Sequence, residues 1–241
     1  MSDVIPYGSQ WLDEDDIAAV VEVLRGSWLT TGPTVDRFEA ELGKACGAEH
    51  AIAVNSGTAA LHAAYQAVGL GPGDELITSP LTFAATANAA LYLGATVRFV
   101  DVTEDTGNLD PERVTEALSP NTRVIAPVDY AGHAADYDAL APIAADHGAA
   151  LIADAAHSLG GRYHGRPVGQ LADATALSLH PIKPITTGEG GAVVTNDPDV
   201  AERARSFRTH GFVRDRARMT RPDEGPWYAE QHVLGFNYRI T

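Results

Sequence analysis

The sequence predicts an α/β layer fold with a mostly parallel central sheet. Seven short runs rich in branched apolar residues are typical of strands, at residues 51–54, 75–78, 96–100, 123–127, 150–153, 174–178 and 192–195. Helical spacing of apolar residues fills most of the intervals, at residues 59–68, 84–93, 110–117 and 137–147. The chain has 241 residues, of which 45% are hydrophobic and 20% charged, as in an ordinary globular protein with a sizeable core.

Two more helices are predicted before the first strand. Residues 11–24 place apolar side chains at helical spacing and begin with four acids, where the helix dipole favours anions. Residues 34–46 carry an apolar stripe through Val35, Phe38 and Leu42. By contrast, residues 209–231 are charged and interrupted by Pro and Gly, so we expect an exposed loop there.

Bulk properties exclude several classes of function. The net charge of −15 disfavours a nucleic-acid partner, because binding a polyanion requires a basic face. No apolar stretch approaches membrane-spanning length, so no membrane association is expected. The single cysteine, Cys46, cannot form an internal disulfide and fits a reducing compartment. We therefore expect a cytoplasmic protein in which Cys46 is a small core residue.

Lys183 is the first candidate for catalysis. It lies among Pro181, Ile182, Pro184 and Ile185, and a poorly hydrated ammonium has a lowered pKa that frees the amine as a nucleophile. A Schiff-base lysine needs this property. A surface lysine whose stem covers apolar neighbours is the alternative.

A Ser/Gly/Thr turn at residues 55–58 follows the first predicted strand and opens a predicted helix. Backbone N–H groups and hydroxyls at a helix N-terminus suit a phosphate, although Ser56 or Thr58 could simply cap the helix. The turn lacks the length and the lysine of a nucleotide P-loop. Ser178 ends another predicted strand with a hydroxyl that could also bind phosphate.

Asp154 follows the apolar strand at residues 150–153, and a buried carboxylate is costly unless it is paired. It either caps the next helix or meets a cationic group such as a protonated ring nitrogen. His157 could orient a ligand hydroxyl or be an interior histidine. Phe83 could stack on a planar ring or lie in the core. Asp154 and Lys183 are 29 residues apart, which allows them to stand on neighbouring strands.

Together these groups are the parts that a pyridoxal phosphate enzyme needs. The chain also resembles the DegT/DnrJ/EryC1/StrS family of nucleotide-sugar aminotransferases, which have the three-layer fold of the fold-type-I pyridoxal phosphate transferases. The matching motifs occur in order at residues 26–33, 55–61, 82–88, 154–157, 178–183, 187–191 and 235–239.

The resemblance implies pyridoxal 5'-phosphate as cofactor and assigns roles around its ring. Lys183 is similar to the lysine that bonds to the cofactor aldehyde and moves the proton. Asp154 is similar to the carboxylate on the pyridine nitrogen, and Phe83 to the aromatic residue packed on the ring. His157 matches a position near the cofactor.

Further roles concern the phosphate and the substrate. Gly57, Thr58 and Ser178 match positions that hold the cofactor phosphate. Asn237 resembles an asparagine that reaches the phosphate of a neighbouring subunit, so a homodimer is implied. The positions similar to a region lining the sugar-nucleotide pocket are Tyr7, Ser27, Trp28, Leu29 and Thr30.

The implied reaction transfers an amino group from L-glutamate, leaving 2-oxoglutarate, to the C4 keto group of a UDP-linked 4-keto-6-deoxy sugar for surface polysaccharide or glycan biosynthesis. Residues 128–132 and 180–187 are most similar to the enzymes of the pseudaminic acid route, with the UDP-4-amino-4-deoxy-L-arabinose enzymes close behind.

Other functions remain as alternatives. A sugar dehydratase of the family would use the cofactor without the lysine, which Lys183 disfavours. A non-catalytic protein that binds pyridoxal phosphate or a sugar nucleotide is a further alternative. A nicotinamide dehydrogenase is disfavoured, since no Gly-x-Gly-x-x-Gly follows the first strand.

The resemblance also divides the chain. Residues 1–30 are expected to line the substrate pocket, and residues 31–241 to form the cofactor-binding large domain. Family members continue past the Gly-x-Asn-x-Arg pattern into a smaller C-terminal domain, whereas this sequence ends at Thr241. We therefore expect the C-terminal small domain to be absent.

Overall fold

A computed structural model describes residues 8–213 and 215–241. The helices of this part of the chain are α1 (Glu14–Arg25), α2 (Pro33–Cys46), α3 (Gly57–Ala67), α4 (Ala85–Tyr92), α5 (Pro111–Ala117), α6 (Tyr137–His147) and α7 (Pro198–Arg208). The strands are β1 (His50–Val54), β2 (Glu75–Thr78), β3 (Thr96–Phe99), β4 (Thr122–Ala126), β5 (Ala150–Asp154), β6 (Arg162–Tyr163), β7 (Arg166–Pro167), β8 (Ala174–Ser178), β9 (Gly191–Thr195), β10 (Phe212–Val213) and β11 (Glu230–Gln231).

The seven predicted strands form one sheet in the order β1-β9-β8-β5-β4-β2-β3. Only β9 runs against its neighbours, pairing antiparallel with both β1 and β8. Since β1 and β8 both oppose β9, they run parallel to each other and to the rest of the sheet. The predicted mostly parallel α/β sheet is therefore confirmed. Strands β1, β2, β4, β5 and β8 all end at one edge, which is where ligands of such sheets bind.

Helices cover both faces of the sheet because successive residues of a buried strand point to opposite sides. In β5, Ile152 packs into a core with α3, α4 and α7, whereas Leu151 and Ala153 pack into a core with α5 and α6. Helix α2 covers β1 and β9 through Leu42 and Cys46. Cys46 is fully buried, so its expected core position is confirmed.

Helix α7 was not predicted from the sequence. Its eleven residues include five charged ones, which obscure the apolar stripe. The Asp197 side chain caps the helix by accepting from the N–H groups of Asp199 and Val200. The side chains that it buries are Val200, Ala201, Ala204, Ser206 and Phe207.

Helix α1 begins at Glu14, three residues later than predicted, because Asp13 and Asp16 form a capping box there. None of its residues is buried. Ile17, Val20 and Leu24 expose 50%, 60% and 65% of their surface, so most of the predicted apolar stripe is exposed. Capping rather than burial is what the structure shows stabilising this helix.

The region 209–231 is more ordered than an exposed loop. Strands β10 and β11 pair across it, and the buried Glu230 organises its interior. The Glu230 carboxylate accepts from Thr220, from the Arg221 N–H and from Tyr228, and it pairs with His232. Across the described residues, no helix has the length and apolarity needed to span a bilayer.

Candidate active site

The sequence-predicted site residues meet at the carboxyl edge of the sheet. The turn at residues 55–58 follows β1, Phe83 follows β2, and Asp154 ends β5. Ser178 ends β8, which pairs directly with β5, and Lys183 lies on the loop from β8 to β9. Asp154 therefore ends one strand, and Lys183 lies on the loop that follows its neighbour β8 rather than on a strand as expected.

The turn after β1 presents an open helix N-terminus. Ser56 is the N-cap of α3, and its hydroxyl accepts from the Ala59 N–H at 3.1 Å while its carbonyl accepts from Ala60. The N–H groups of Gly57 and Thr58 have no partner within the described residues. The first turn of an eleven-residue helix thus keeps two donors free for an anion.

Gly57 brings this helix end against Ser178. A Cβ atom at position 57 would lie 2.9 Å from the Ser178 Cβ and 3.2 Å from its hydroxyl oxygen, too close to be tolerated without movement. Glycine therefore lets α3 approach the end of β8. The result is a small cradle of backbone N–H groups and a hydroxyl, with the chemistry of a phosphate site.

Asp154 is a carboxylate buried at the edge of this cradle. It is 5% exposed, one oxygen accepts from the Thr86 hydroxyl at 2.6 Å, and the other accepts from the Ala156 N–H at 3.3 Å. Burial raises the pKa of Asp154, while these hydrogen bonds and the charges of Lys183 and His157 lower it. It caps a turn rather than a helix, and no cation bonds to it directly among the described residues.

The Lys183 amine has the lowered pKa that the sequence predicted. Its partial burial lowers the pKa, and the charge of Asp154 opposes this shift. The expected reason was wrong in one respect, because Ile182 and Ile185 are each 45% exposed. The partial burial of the amine therefore does not reflect a flanking segment that is itself fully buried.

His157 and Phe83 are both exposed, so neither is the interior residue that the sequence left open. Although His157 is exposed as a residue, partial burial of its imidazole lowers its pKa, the nearby Lys183 charge lowers it further, and Asp154 raises it. Phe83 leaves 78% of its surface uncovered beside the same edge. An exposed ring next to a buried carboxylate and a phosphate-type cradle is suited to contact a planar ligand.

The Asn237 segment lies against the turn after β1. The Asn237 carbonyl accepts from the Asn55 side chain at 3.4 Å, and the Tyr238 carbonyl accepts from the Asn55 N–H at 2.9 Å. The Tyr238 hydroxyl in turn bonds the buried His62 ring at 3.0 Å. The segment is therefore fastened to the helix that carries the cradle.

The predicted substrate segment is only partly placed by the structure. Ser27, Trp28, Leu29 and Thr30 are exposed, and the Thr30 hydroxyl donates to the Ile240 carbonyl at 3.3 Å. Thr30 also lines a cavity of about 710 Å³. Tyr7 lies outside the described residues.

Sequence reasoning missed two site residues, Thr86 and Asp129. Thr86 is fully buried one turn after Phe83 and bonds Asp154 directly. Asp129 is 1% exposed, and its N–H donates to the Asp154 carbonyl at 3.0 Å. For Thr86, the available sequence signal was a threonine at helical spacing from Phe83. For Asp129, it was a lone acidic residue after an apolar strand.

Comparison with known proteins places this site in a family. Residues 10–241 match the model of the DegT/DnrJ/EryC1/StrS aminotransferase family. The chain is 42% identical to the spore coat polysaccharide biosynthesis protein SpsC of Bacillus subtilis, over 98% of this chain and 60% of that protein. It is 41% identical to a UDP-4-amino-4,6-dideoxy-N-acetyl-beta-L-altrosamine transaminase of Campylobacter jejuni, over 99% of this chain and 61% of that protein.

Structural similarity extends over the same range. PseC of Helicobacter pylori, an aminotransferase involved in the biosynthesis of pseudoaminic acid, superimposes with a TM-score of 0.89 at 35% identity, over 98% of this chain and 61% of that one. The expected fold of the pyridoxal phosphate transferases is thereby confirmed. The chain spans about 60% of the length of the curated relatives that it matches. This chain belongs to the DegT/DnrJ/EryC1/StrS aminotransferase family, whose aminotransferases depend on pyridoxal phosphate.

Proposed function

We propose that this protein is an aminotransferase that moves an amino group from L-glutamate to the C4 keto group of a nucleotide-linked 4-keto-6-deoxy sugar, with UDP as the nucleotide, for glycan biosynthesis. The observation that carries the proposal is the buried Asp154 carboxylate at the same sheet edge as the open N-terminus of α3 and the Lys183 loop. The charges of Asp154 and Lys183 also act on each other's pKa. The names of the Campylobacter and Helicobacter relatives support a sugar-nucleotide substrate.

The residues present fit pyridoxal phosphate. The N–H groups of Gly57 and Thr58 and the hydroxyl of Ser178 would hold its phosphate, since three donors converge where Gly57 meets Ser178. Phe83 would pack on the ring face. When bound, the cofactor supplies an aldehyde that bonds to amines and a ring that accepts electrons as a C–H proton leaves.

Asp154 would hold a proton on the ring nitrogen. Burial raises the pKa of this carboxyl, and no cationic side chain among the described residues bonds to it directly. A cationic N–H placed against it would satisfy the buried charge. Thr86 keeps the carboxylate oriented, because its hydroxyl donates to Asp154 Oδ2 at 2.6 Å.

Lys183 would act first as nucleophile and then as base. Its lowered pKa increases the fraction of neutral amine at a given pH, which is the form that attacks an aldehyde. With substrate bound, the Lys183 amine would take a proton from the donor Cα and return one at the acceptor carbon. His157, exposed on the adjacent turn, would contact the cofactor from the side of Asp154.

The remaining assignments concern the edges of the site. Residues 27–30, with Tyr7, would line the sugar-nucleotide pocket, and residues 1–30 would form a segment apart from the cofactor-binding domain at 31–241. The free, buried thiol of Cys46 supports a reducing, cytoplasmic location.

We also propose a homodimer in which Asn237 reaches the cofactor phosphate of the neighbouring subunit. Lys183→Ala and Asn237→Ala variants would each be inactive alone. Mixing the two should restore part of the activity, because a hybrid dimer holds one site with both native residues. Absence of recovery in a verified hybrid would remove the assignment of Asn237 to the partner site.

The central test uses Lys183→Ala and Lys183→Arg in the full chain. Wild-type protein with pyridoxal phosphate should give a visible absorbance band and, after borohydride, a pyridoxyl group on Lys183. Both variants should lose the label and the formation of 2-oxoglutarate from glutamate and a UDP-linked 4-keto sugar. A label on another lysine would reject the assignment, and labelling without 2-oxoglutarate would identify a binding protein instead.

A further inference from the structure

A second buried carboxylate, Asp129, lies behind Asp154 and contacts both ends of the loop that carries the candidate site. This loop, residues 154–158, begins with Asp154 and ends with Ser158. The Asp129 N–H donates to the Asp154 carbonyl at 3.0 Å. The Asp129 carboxylate accepts from the Ser158 hydroxyl. One residue therefore bonds the first and the last members of a five-residue loop.

The Asp129 side chain is fixed by further partners. Its other oxygen accepts from the Tyr137 hydroxyl at 2.8 Å and from the Ala135 N–H at 3.0 Å. Asp129 and Tyr137 are each 1% exposed, and Ser158 is 4% exposed. Three donors around a carboxylate in a dry site hold it in one orientation, because each would otherwise be left unsatisfied.

The turn after Asp129 supports the middle of the loop. Gly132 has a φ of +86°, and a Cβ atom there would lie 3.0 Å from the His157 carbonyl oxygen. Other backbone hydrogen bonds of the loop join the Asp154 N–H to the Pro127 carbonyl, the Ala155 N–H to the Ala176 carbonyl, the Ala156 N–H to the Asp154 side chain and the Ser158 N–H to the Ala155 carbonyl. Residues 129–132 thus contact both ends of the loop and lie against the His157 backbone.

We propose that Asp129 is a positioning residue for the candidate site, acting through Ser158 and the Asp154 backbone to set the carboxylate of Asp154 against the bound cofactor. It does not touch the ligand itself. The inference rests on the proposed role of Asp154 and adds the residue that holds it in place. Burial raises the pKa of Asp129, and the charge of Asp154 raises it further.

The test compares Ser158→Ala, Asp129→Asn and Asp129→Ala with Glu75→Gln in the full chain. Glu75 is a matched control, since it is 8% exposed and accepts from the Ser119 and Thr122 hydroxyls. It lies at the start of β2, the end of that strand away from the candidate site. The readouts are the free energy of unfolding in urea, the dissociation constant of pyridoxal phosphate, and the pH midpoint of its visible band in the complex.

Ser158→Ala removes a single hydroxyl and should raise the dissociation constant roughly tenfold, with a shift of the band midpoint. Asp129→Ala should do at least as much, and Asp129→Asn less, because the amide oxygen still accepts from Ala135 and Tyr137. Glu75→Gln should lower stability and leave both cofactor readouts unchanged. If Asp129→Ala does not fold, Ser158→Ala and Asp129→Asn carry the test.

Unchanged cofactor affinity and band midpoint in Ser158→Ala would overturn the proposal. So would equal effects of Ser158→Ala and Glu75→Gln on affinity, which would mean that only global stability matters. The proposed aminotransferase function fails separately, if Lys183→Ala retains the cofactor label elsewhere or Asp154→Asn retains normal turnover.

Discussion

The hydroxyl of Thr86 donates to the carboxylate oxygen Oδ2 of Asp154 at 2.6 Å, and this hydrogen bond joins the start of α4 to the end of β5. Both side chains are buried, so water cannot replace either partner. This bond crosses 68 residues of sequence and fixes the orientation of the carboxylate that faces the candidate cofactor site. It is the contact from which the behaviour of Asp154 is most directly predicted.

Thr86→Val keeps the shape of the side chain and removes this hydrogen bond. Since the bond lowers the pKa of Asp154, its loss raises that pKa, and the acidic limb of the pH–rate profile should move to higher pH. A loss of about 2 kcal/mol of stabilisation corresponds to roughly a 30-fold lower kcat/KM. The control is Thr78→Val, whose buried hydroxyl bonds the Ala126 carbonyl instead. An unshifted acidic limb in Thr86→Val would contradict the prediction.

Gly57→Ala should damage phosphate binding selectively. The new Cβ would lie 2.9 Å from the Ser178 Cβ and so push α3 away from β8. We expect weaker binding of pyridoxal phosphate with little change for pyridoxal, which lacks the phosphate. Gly71→Ala is the matched control, because a Cβ there meets nothing within 4 Å. Equal losses for both ligands, measured by titration of the apoprotein, would argue against a phosphate cradle at this position.

Asp154→Asn should separate electron withdrawal from amine reactivity. The charge of Asp154 raises the pKa of Lys183, so its removal lowers that pKa further. Covalent attachment of pyridoxal phosphate, measured by borohydride trapping across pH, should therefore begin at lower pH, while amino transfer falls steeply. Asp173→Asn, at the opposite edge of β5 and β8, should change neither readout. A midpoint that moves to higher pH would show that the two groups are not coupled as described.

The buried His62 should make stability depend on pH. Burial lowers its pKa from 6.5 to about 4. Between pH 6.5 and pH 4 the imidazole is therefore protonated in the unfolded state but largely neutral in the folded state. Above pH 6.5 this histidine does not reduce the free energy of unfolding. As the pH falls from 6.5 toward 4, the free energy of unfolding decreases by about 3 kcal/mol. His62→Gln should reduce the slope of unfolding free energy against pH in this window.

Tyr238→Phe is the companion variant for His62. It removes the 3.0 Å contact with the imidazole but keeps the titrating ring, so stability should fall at every pH while the slope persists. A wild-type slope in His62→Gln would mean that other groups dominate acid unfolding.

The layer architecture was largely predictable from local patterns. Each predicted strand became a strand of the central sheet, because branched apolar runs such as residues 150–153 can be buried on both faces only in a covered sheet. Helix α7 escaped prediction, since its stripe is short and its sequence is charged. Helix α1 was predicted from a stripe that the structure leaves exposed, which shows that periodicity alone does not establish burial.

The site divides in the same way. The sequence by itself predicted the chemistry proposed for Lys183, Asp154 and the 55–58 turn, because residue type and position after a strand are local properties. Tertiary structure alone decided that Thr86 and Asp129 reach Asp154, and that the lysine amine is desolvated while its neighbours are exposed. Those facts depend on strand order and on burial by distant segments, for which a linear pattern carries no signal.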